Sequence, residues 1–239
     1  MRFAINTVSL SLFRFTSLSA RLWVFGQMGA ARLSLARIPE IGFWKLCGSG
    51  TGEGFTPRPN TAVWAILATW PDPETARRLI GSASVFGRWR SHAAESWTIL
   101  LEPTSSRGRW SGKNPFHPGG VANDGGPIVA LTRATMRAST FLRFWRRVPD
   151  ISQVIGEDPN VIFKIGIGEV PLLHQVTFSI WPDAVSMAQF ARGDGPHGRA
   201  IRAVRAENWF AEELYARFRI IDDWGSWDGR RPLAARAAA

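Results

Sequence analysis

The sequence is poor in the residues from which most recognisable sites are built. Its 239 residues include one cysteine, Cys47, which excludes an intramolecular disulfide and a cysteine-ligated zinc or iron–sulfur centre. Such a chain suits a reducing compartment, here read as the cytoplasm. There are four histidines, His92, His117, His174 and His197, and no two stand at the spacing of a metal-binding pair. Tyr215 is the single tyrosine, and no serine sits in a nucleophile elbow. No apolar run approaches the ~20 residues needed to cross a bilayer. Lysine is scarce as well: with only Lys45, Lys113 and Lys164, arginine supplies almost all of the net charge of +10. Residues 1–39 contain no acid and are rich in Ser and Arg, a transit-peptide composition. A counterpart to this stretch later in the chain argues instead for a strand and a helix of the fold.

What is present is the composition of a globular protein, 45% hydrophobic and 20% charged. Twelve Trp and fifteen Phe call for either an aromatic-rich core or a large apolar ligand. The basic surface suits anionic partners: acidic lipid, an acidic electron-transfer protein, or nucleic acid. The basic residues are scattered rather than gathered into a stripe, which argues against nucleic acid.

The chain also repeats itself. Ala65–Asp72, ending Trp70-Pro71-Asp72, matches Val176–Asp183, ending Trp181-Pro182-Asp183, at an offset of 111 (181 − 70). Trp97 is matched to Trp209, Phe86-Gly87-Arg88 to His197-Gly198-Arg199, and Trp44-Lys45-Leu46 to Phe163-Lys164-Ile165. Each copy reads β-α-β-β-α-β. Leu22, Phe25, Met28, Gly29 and Leu33 mark the first helix by their spacing, and Asp72 and Asp183 are natural N-caps. The expected fold is α+β: two ferredoxin-like repeats, 1–102 and 128–221, whose bare sheet faces pack together as a dimeric-α/β-barrel-type fold within one chain. Residues 103–127, rich in Pro, Gly, Ser and Asn, read as a linker, and 222–239 as a flexible tail.

Few residues could carry chemistry. The run Gly48–Gly54 lacks the Gly-Lys-Ser/Thr ending of a phosphate loop and opens onto no helix, so a flexible, pocket-lining loop is the better reading. His197 follows the helix-breaking Gly195-Pro196, and its counterpart is Phe86, so the copies differ there. One neutral imidazole suffices as an axial haem ligand, and a capping or core role is the alternative. His174, at the start of a strand, and His92, on the first copy's second helix, are alternates. Cys47 is a packing residue or a haem thiolate. Lys45 with Glu53, and Lys164 with Glu169, recur at matched places and brace strand ends or line a pocket.

Several stretches are more specific. Phe43–Pro57 (FWKLCGSGTGEGFTP), Asn60–Leu67, Arg109-Trp110-Ser111-Gly112, Lys164–Pro171, His197–Val204 and Trp209–Phe218 resemble the spheroidene monooxygenase family, the carotenoid ketolases of purple photosynthetic bacteria. The resemblance runs from about Val8 to Ile221. It implies a haem-containing monooxygenase that uses O2 and reduced ferredoxin to oxidise C-2 of an acyclic methoxy-carotenoid such as spheroidene. It also implies His197 as the haem-iron ligand and a cytoplasmic enzyme resting on the anionic photosynthetic membrane. Cofactor-free or haem-degrading oxygenation on the same barrel, or a basic non-enzymatic binding protein, are the alternatives.

Overall fold

The computed structural model describes residues 7–52, 56, 58–120, 125–137, 160–170, 173–192 and 209–233. The first half contributes β1 (Thr7–Arg14), α1 (Leu18–Ala36), β2 (Trp44–Gly50) and β3 (Pro59–Trp70). It continues with α2 (Pro73–Ser82), α3 (Ser84–His92) and β4 (Glu95–Gly108). The second contributes β5 (Ile128–Met136), β6 (Phe163–Gly168), β7 (His174–Trp181), α4 (Ala184–Arg192) and β8 (Phe210–Gly225). The helix read over 139–155 lies outside the described residues.

The eight strands close into one barrel in the order β1-β3-β2-β6-β7-β5-β8-β4, every neighbouring pair antiparallel. Cut at its two seams, the barrel gives β4-β1-β3-β2 and β8-β5-β7-β6, the same order twice. Gly48 pairs with Gly168 at one seam and Glu102 with Arg219 at the other. Closure leaves no bare sheet edge.

Strand alternation sorts the side chains into two layers. Val8, Leu10, Leu12, Val63, Ala65, Leu67, Ile99 and Leu101 of the first half meet Val129, Leu131, Ile165, Ile167, Val176, Phe178 and Phe218 of the second inside the barrel. An eight-stranded barrel is just wide enough for side chains to fill it, and these do. On the outside of the first half, Phe13, Leu46, Trp64, Ile66 and Trp70 pack against α1, α2 and α3. Local signals place those helices. Ser17 caps α1 by accepting from Ala20 N–H, and Asp72 caps α2 by accepting from Thr75 N–H at 2.7 Å. Asp183 accepts from Ser186 N–H at 2.7 Å in the same manner.

Three expectations are corrected. First, α1 buries Ala20, Val24, Ala31 and Leu35, whereas Leu22, Phe25 and Leu33 face outward. Two alanines, one valine and one leucine suffice to pack the helix on the sheet, which leaves Leu22, Phe25 and Leu33 largely exposed. Second, the span read as linker begins with β4, which runs on to Gly108, and the segment after it buries Trp110 and Phe116 against the barrel core. The span read as tail likewise holds the end of β8 and the buried Trp227. Third, the matched pairs shift. Strand registers align Lys164 with Trp44 and Lys45 with Ile165, through Ala68 and Leu67 on β3 and Ser179 and Phe178 on β7. They also align Trp97 with Leu214, through Leu12 on β1 and Arg133 on β5, rather than with Trp209. A one-residue slip reverses the face of a strand residue, so Lys45 and Lys164 lie on opposite sides of the barrel wall.

Candidate functional site

Two places concentrate chemistry: the barrel mouth beneath Trp110, and the outer sheet face of the second half. At the mouth, Glu169, just beyond β6, gathers groups from both halves. Its carboxylate lies 2.5 Å from Lys45 Nζ, accepts from Trp110 Nε1 at 2.6 Å, and stands 3.7 Å from Arg133 and 3.5 Å from His174 Nδ1. Lys45 also donates to Ser111 Oγ at 2.7 Å. Arg133, on the inner side of β5 and 2% exposed, pairs with Glu212. Glu212 accepts from the backbone N–H groups of Ser111 and Gly112 at 2.9 and 2.7 Å. Burial alone would raise the Glu212 pKa, but the Gly112 and Ser111 N–H groups and Arg133 together hold it below the usual carboxylate range. Burial, aided by Arg133 and Lys45 and opposed by Glu169, lowers the His174 pKa and keeps its ring neutral. Cys47, buried among these strands, has its thiol pKa pushed far up, chiefly by desolvation, so it is inert packing rather than a thiolate.

The opposite mouth has the same construction. Gly108-Arg109-Trp110-Ser111-Gly112-Lys113 and Gly225-Ser226-Trp227-Asp228-Gly229-Arg230 are one turn used twice, 117 residues apart (225 − 108). Both close on a bridge, Trp110 to Lys113 and Trp227 to Arg230. Each carries successive positive φ values, 54° and 75° in one and 55° and 72° in the other. Glu95 receives the Asp228 and Gly229 N–H groups as Glu212 receives those of Ser111 and Gly112. Arg14 lies over the Trp227 ring at 4.5 Å, and Arg133 over Trp110 at 5.8 Å. Duplication at both ends marks this device as a plug that seals the barrel. With the interior filled, a large ligand has to lie elsewhere.

The second place emerges from comparing the halves position by position. On the helix side of the first half stand Trp44, Leu46, Trp64, Ile66 and Phe13. The registers put Lys164, Gly166, Gln175, Thr177 and Ala134 at the same places in the second. Trp64 occupies the space over Gly48, its ring 3.4 Å from where a Cβ would stand. Over the equivalent Gly168 the matching residue is Gln175. Five bulky apolar groups are thus replaced by smaller or polar ones, while Trp70 keeps its counterpart in Trp181. A Cβ on Gly168 would come within 2.1 Å of the His174 carbonyl oxygen, so this glycine serves the close approach of two strand backbones. The outer face of the second half thus carries smaller and more polar side chains than that of the first, with Gly166 and Ala134 buried on it.

No protein-family model matches the chain. It is 57% identical over 235 residues to a spheroidene monooxygenase of Cereibacter sphaeroides, covering 98% of this chain and 72% of that one. It is 56% identical to the Rhodobacter capsulatus spheroidene monooxygenase, covering 95% of each chain. A third, from Rubrivivax gelatinosus, is 33% identical over 213 residues, 89% of this chain and 82% of its own. The chain belongs to the spheroidene monooxygenase family. It is accordingly a monooxygenase, and the non-enzymatic binding reading falls. Among solved structures, an aldoxime dehydratase superposes with a TM-score of 0.58 at 12% identity, over 91% of this chain and 82% of that one. Another, in complex with butyraldoxime, gives 0.59 at 11% identity, over 91% and 80%. These share the fold.

Within this member of the spheroidene monooxygenase family, the expected site residues separate. His197 and Glu53 lie outside the described residues. His92 sits on the outer surface at the end of α3, its Nδ1 2.9 Å from the Arg88 carbonyl and its ring stacked on Trp23 at 3.8 Å. His174 is at the plugged mouth. Neither faces the smaller-lined sheet of the second half. Lys45 and Glu169 meet, but as partners of each other across the seam. Lys164 is on the helix side, among the residues that distinguish the halves. Arg133, Glu212 and Trp110 went unrecognised, although the repeated Gly-x-Trp-x-Gly-(Lys/Arg) string is visible in the sequence.

Proposed function

We propose that the chain oxidises an acyclic methoxy-carotenoid, spheroidene or a close relative, at C-2, with haem, O2 and reduced ferredoxin. Family membership carries the substrate class. The exchange of bulky apolar side chains for smaller and polar ones on the outer face of the second half is the difference between the halves that supports a cofactor there. Haem, when bound, would supply the activation of O2. The chain is read as a gene-fused dimeric α/β barrel in which one repeat keeps its sheet packed and the other gives it to the cofactor.

The chain's own residues then have distinct tasks. His197, which follows α4 in the sequence, would hold the haem iron; a neutral imidazole serves. Gly166 and Thr177 are smaller than their counterparts Leu46 and Ile66, and Gln175 would offer a polar edge to the group. The plugs at Trp110 and Trp227 keep water out of the barrel beneath. Each cycle replaces a C-2 hydrogen with hydroxyl, one O2 and two ferredoxin electrons with two protons giving the alcohol and one water. A second cycle yields a gem-diol that loses water to the ketone. The arginine-rich surface suits an acidic ferredoxin.

The test is the visible spectrum of the purified protein, oxidised, then reduced with and without CO. A haem band that shifts in both steps in the wild type, and is lost or altered in His197→Ala, is the expected result. Turnover of spheroidene with reduced ferredoxin should fail in the same variant. A protein that stays colourless after haem reconstitution yet converts spheroidene would overturn the cofactor assignment.

A further inference from the structure

The outer face of α1 is apolar and bordered by arginine, with Phe25 meeting Trp64 of β3 edge-on at 6.5 Å between ring centroids. Leu18, Leu22, Phe25 and Leu33 are 66–73% exposed. At about 3.6 residues per turn they fall on one stripe, opposite the buried Ala20, Val24, Ala31 and Leu35. Gly29 lies within the stripe, and Ala36 ends it. Ala20, Val24, Ala31 and Leu35 pack on the barrel, whereas Leu18, Leu22, Phe25 and Leu33 stay largely exposed and are not accounted for by the core. Four of the seven large hydrophobic residues exposed among the described residues sit here. A concentration of this kind on a surface otherwise rich in charge marks a contact face.

Charge identifies the occupant. Arg21 and Arg32 flank the stripe on one side, Arg37 follows the helix, and residues 1–39 contain no acid. At the C-terminal end of α1 lies a cleft of about 340 Å³ lined by Ile38, Ile41 and Phe43 together with Arg32, Lys113 and the paired Lys45 and Glu169. Apolar side chains bordered by cations suit the boundary between acyl chains and anionic headgroups. None of the described helices is long and apolar enough to cross a membrane, so α1 would lie in the membrane plane.

We infer that α1 is a membrane-docking helix, seating Leu18, Leu22, Phe25 and Leu33 in the surface of an anionic bilayer. Docking stands on α1 alone. That the bilayer then delivers a lipid-soluble substrate rests on the proposed function.

The experiment is co-sedimentation of the full chain with vesicles. One set holds equal parts phosphatidylcholine and phosphatidylglycerol, the other phosphatidylcholine only. Binding to the anionic vesicles is expected, weaker on the neutral ones, and reduced about tenfold or more in Leu22→Ser/Phe25→Ser, since each leucine or phenylalanine contributes appreciable burial. Val185→Ser, which removes an exposed apolar residue from α4, should bind as wild type. Both substituted positions are exposed, so circular dichroism and Tm should be unchanged. Equal binding of the double variant and the wild type would overturn the inference. So would a wild-type dimer that the double variant converts to monomer without loss of lipid binding, which would give the stripe to a second copy. Failure of docking while detergent-dispersed spheroidene is still converted would leave the proposed function standing. Docking by a protein that does not convert spheroidene would do the reverse.

Discussion

A buried arginine is tolerated only when its charge is answered, and Arg133 shows what that requires. It stands two residues deeper in the barrel than the place that corresponds to Arg14, where the first half has Leu12. Glu212 and Glu169 surround it, and Glu212 is in turn held by two backbone N–H groups. Glu212→Gln keeps the shape and removes the charge. It should destabilise the protein by about 2 kcal/mol, less than the ~3–5 kcal/mol for a wholly orphaned buried ion because Glu169 stays close. Urea unfolding at neutral pH measures this. The pH dependence has a definite sign. The folded-state pKa of Glu212 and of Glu95 is held below the unfolded value, so both contribute stability above about pH 4.3 that is lost as pH falls through the folded value. His174 is also depressed, so its contribution is complete above about pH 6.5 and declines as pH falls below that. His174→Gln should flatten the stability curve between neutrality and about pH 5 while leaving the steeper acid limb unchanged.

At the scale of the element, the plugs and the strand faces carry different lessons about what a sequence reveals. Strands, helices and N-caps were legible because alternation and Asp or Ser caps are local signals. The plugs were not, because glycine, serine and lysine between hydrophobic runs look like linker. Their glycines show the difference. A Cβ on Gly108 would come within 2.2 Å of the Glu213 carbonyl oxygen, and one on Gly225 within 2.1 Å of that of Ser96, at φ of 98° and 92°. Gly108→Ala or Gly225→Ala should therefore cost more than the ~1 kcal/mol of an ordinary glycine exchange, visible as a lowered Tm. The sheet faces misled in a second manner. Equivalent residues lie 111 apart on β3 and β7, 117 on β4 and β8, and 120 on β2 and β6, because the loops between them differ in length. Matching lysine to lysine misaligned β2 with β6 by one residue and merged the inner Lys45 with the outer Lys164. Corrected, the comparison exposes the face where bulk was exchanged for space. Gly166→Leu with Thr177→Ile, which restores the first half's side chains, should abolish the haem binding proposed above, read as loss of haem uptake on reconstitution, while retaining the circular dichroism of the fold.

At the scale of the whole molecule, the barrel is one hydrophobic interior shared by two sheets. Each half alone would present the inner face of its sheet, Leu10, Leu67 and Ile99 from one, Leu131, Phe178 and Phe218 from the other, to water. Closure also unites the polar seams: Lys45 of the first half answers Glu169 of the second, and Glu102 answers Arg219. Neither half has a complete set of partners without the other, so the halves are folding partners rather than independent domains. Dividing the chain between residues 120 and 125 severs none of the described strands. The two fragments, produced together, should assemble as a one-to-one complex with the barrel's circular dichroism, measured by sedimentation. Produced alone, the first fragment should self-associate or precipitate, because two copies can cover each other's sheet but cannot supply Glu169 to Lys45 or Arg219 to Glu102. A soluble, well-folded monomer of either fragment would show that the shared interior is not what holds the fold together.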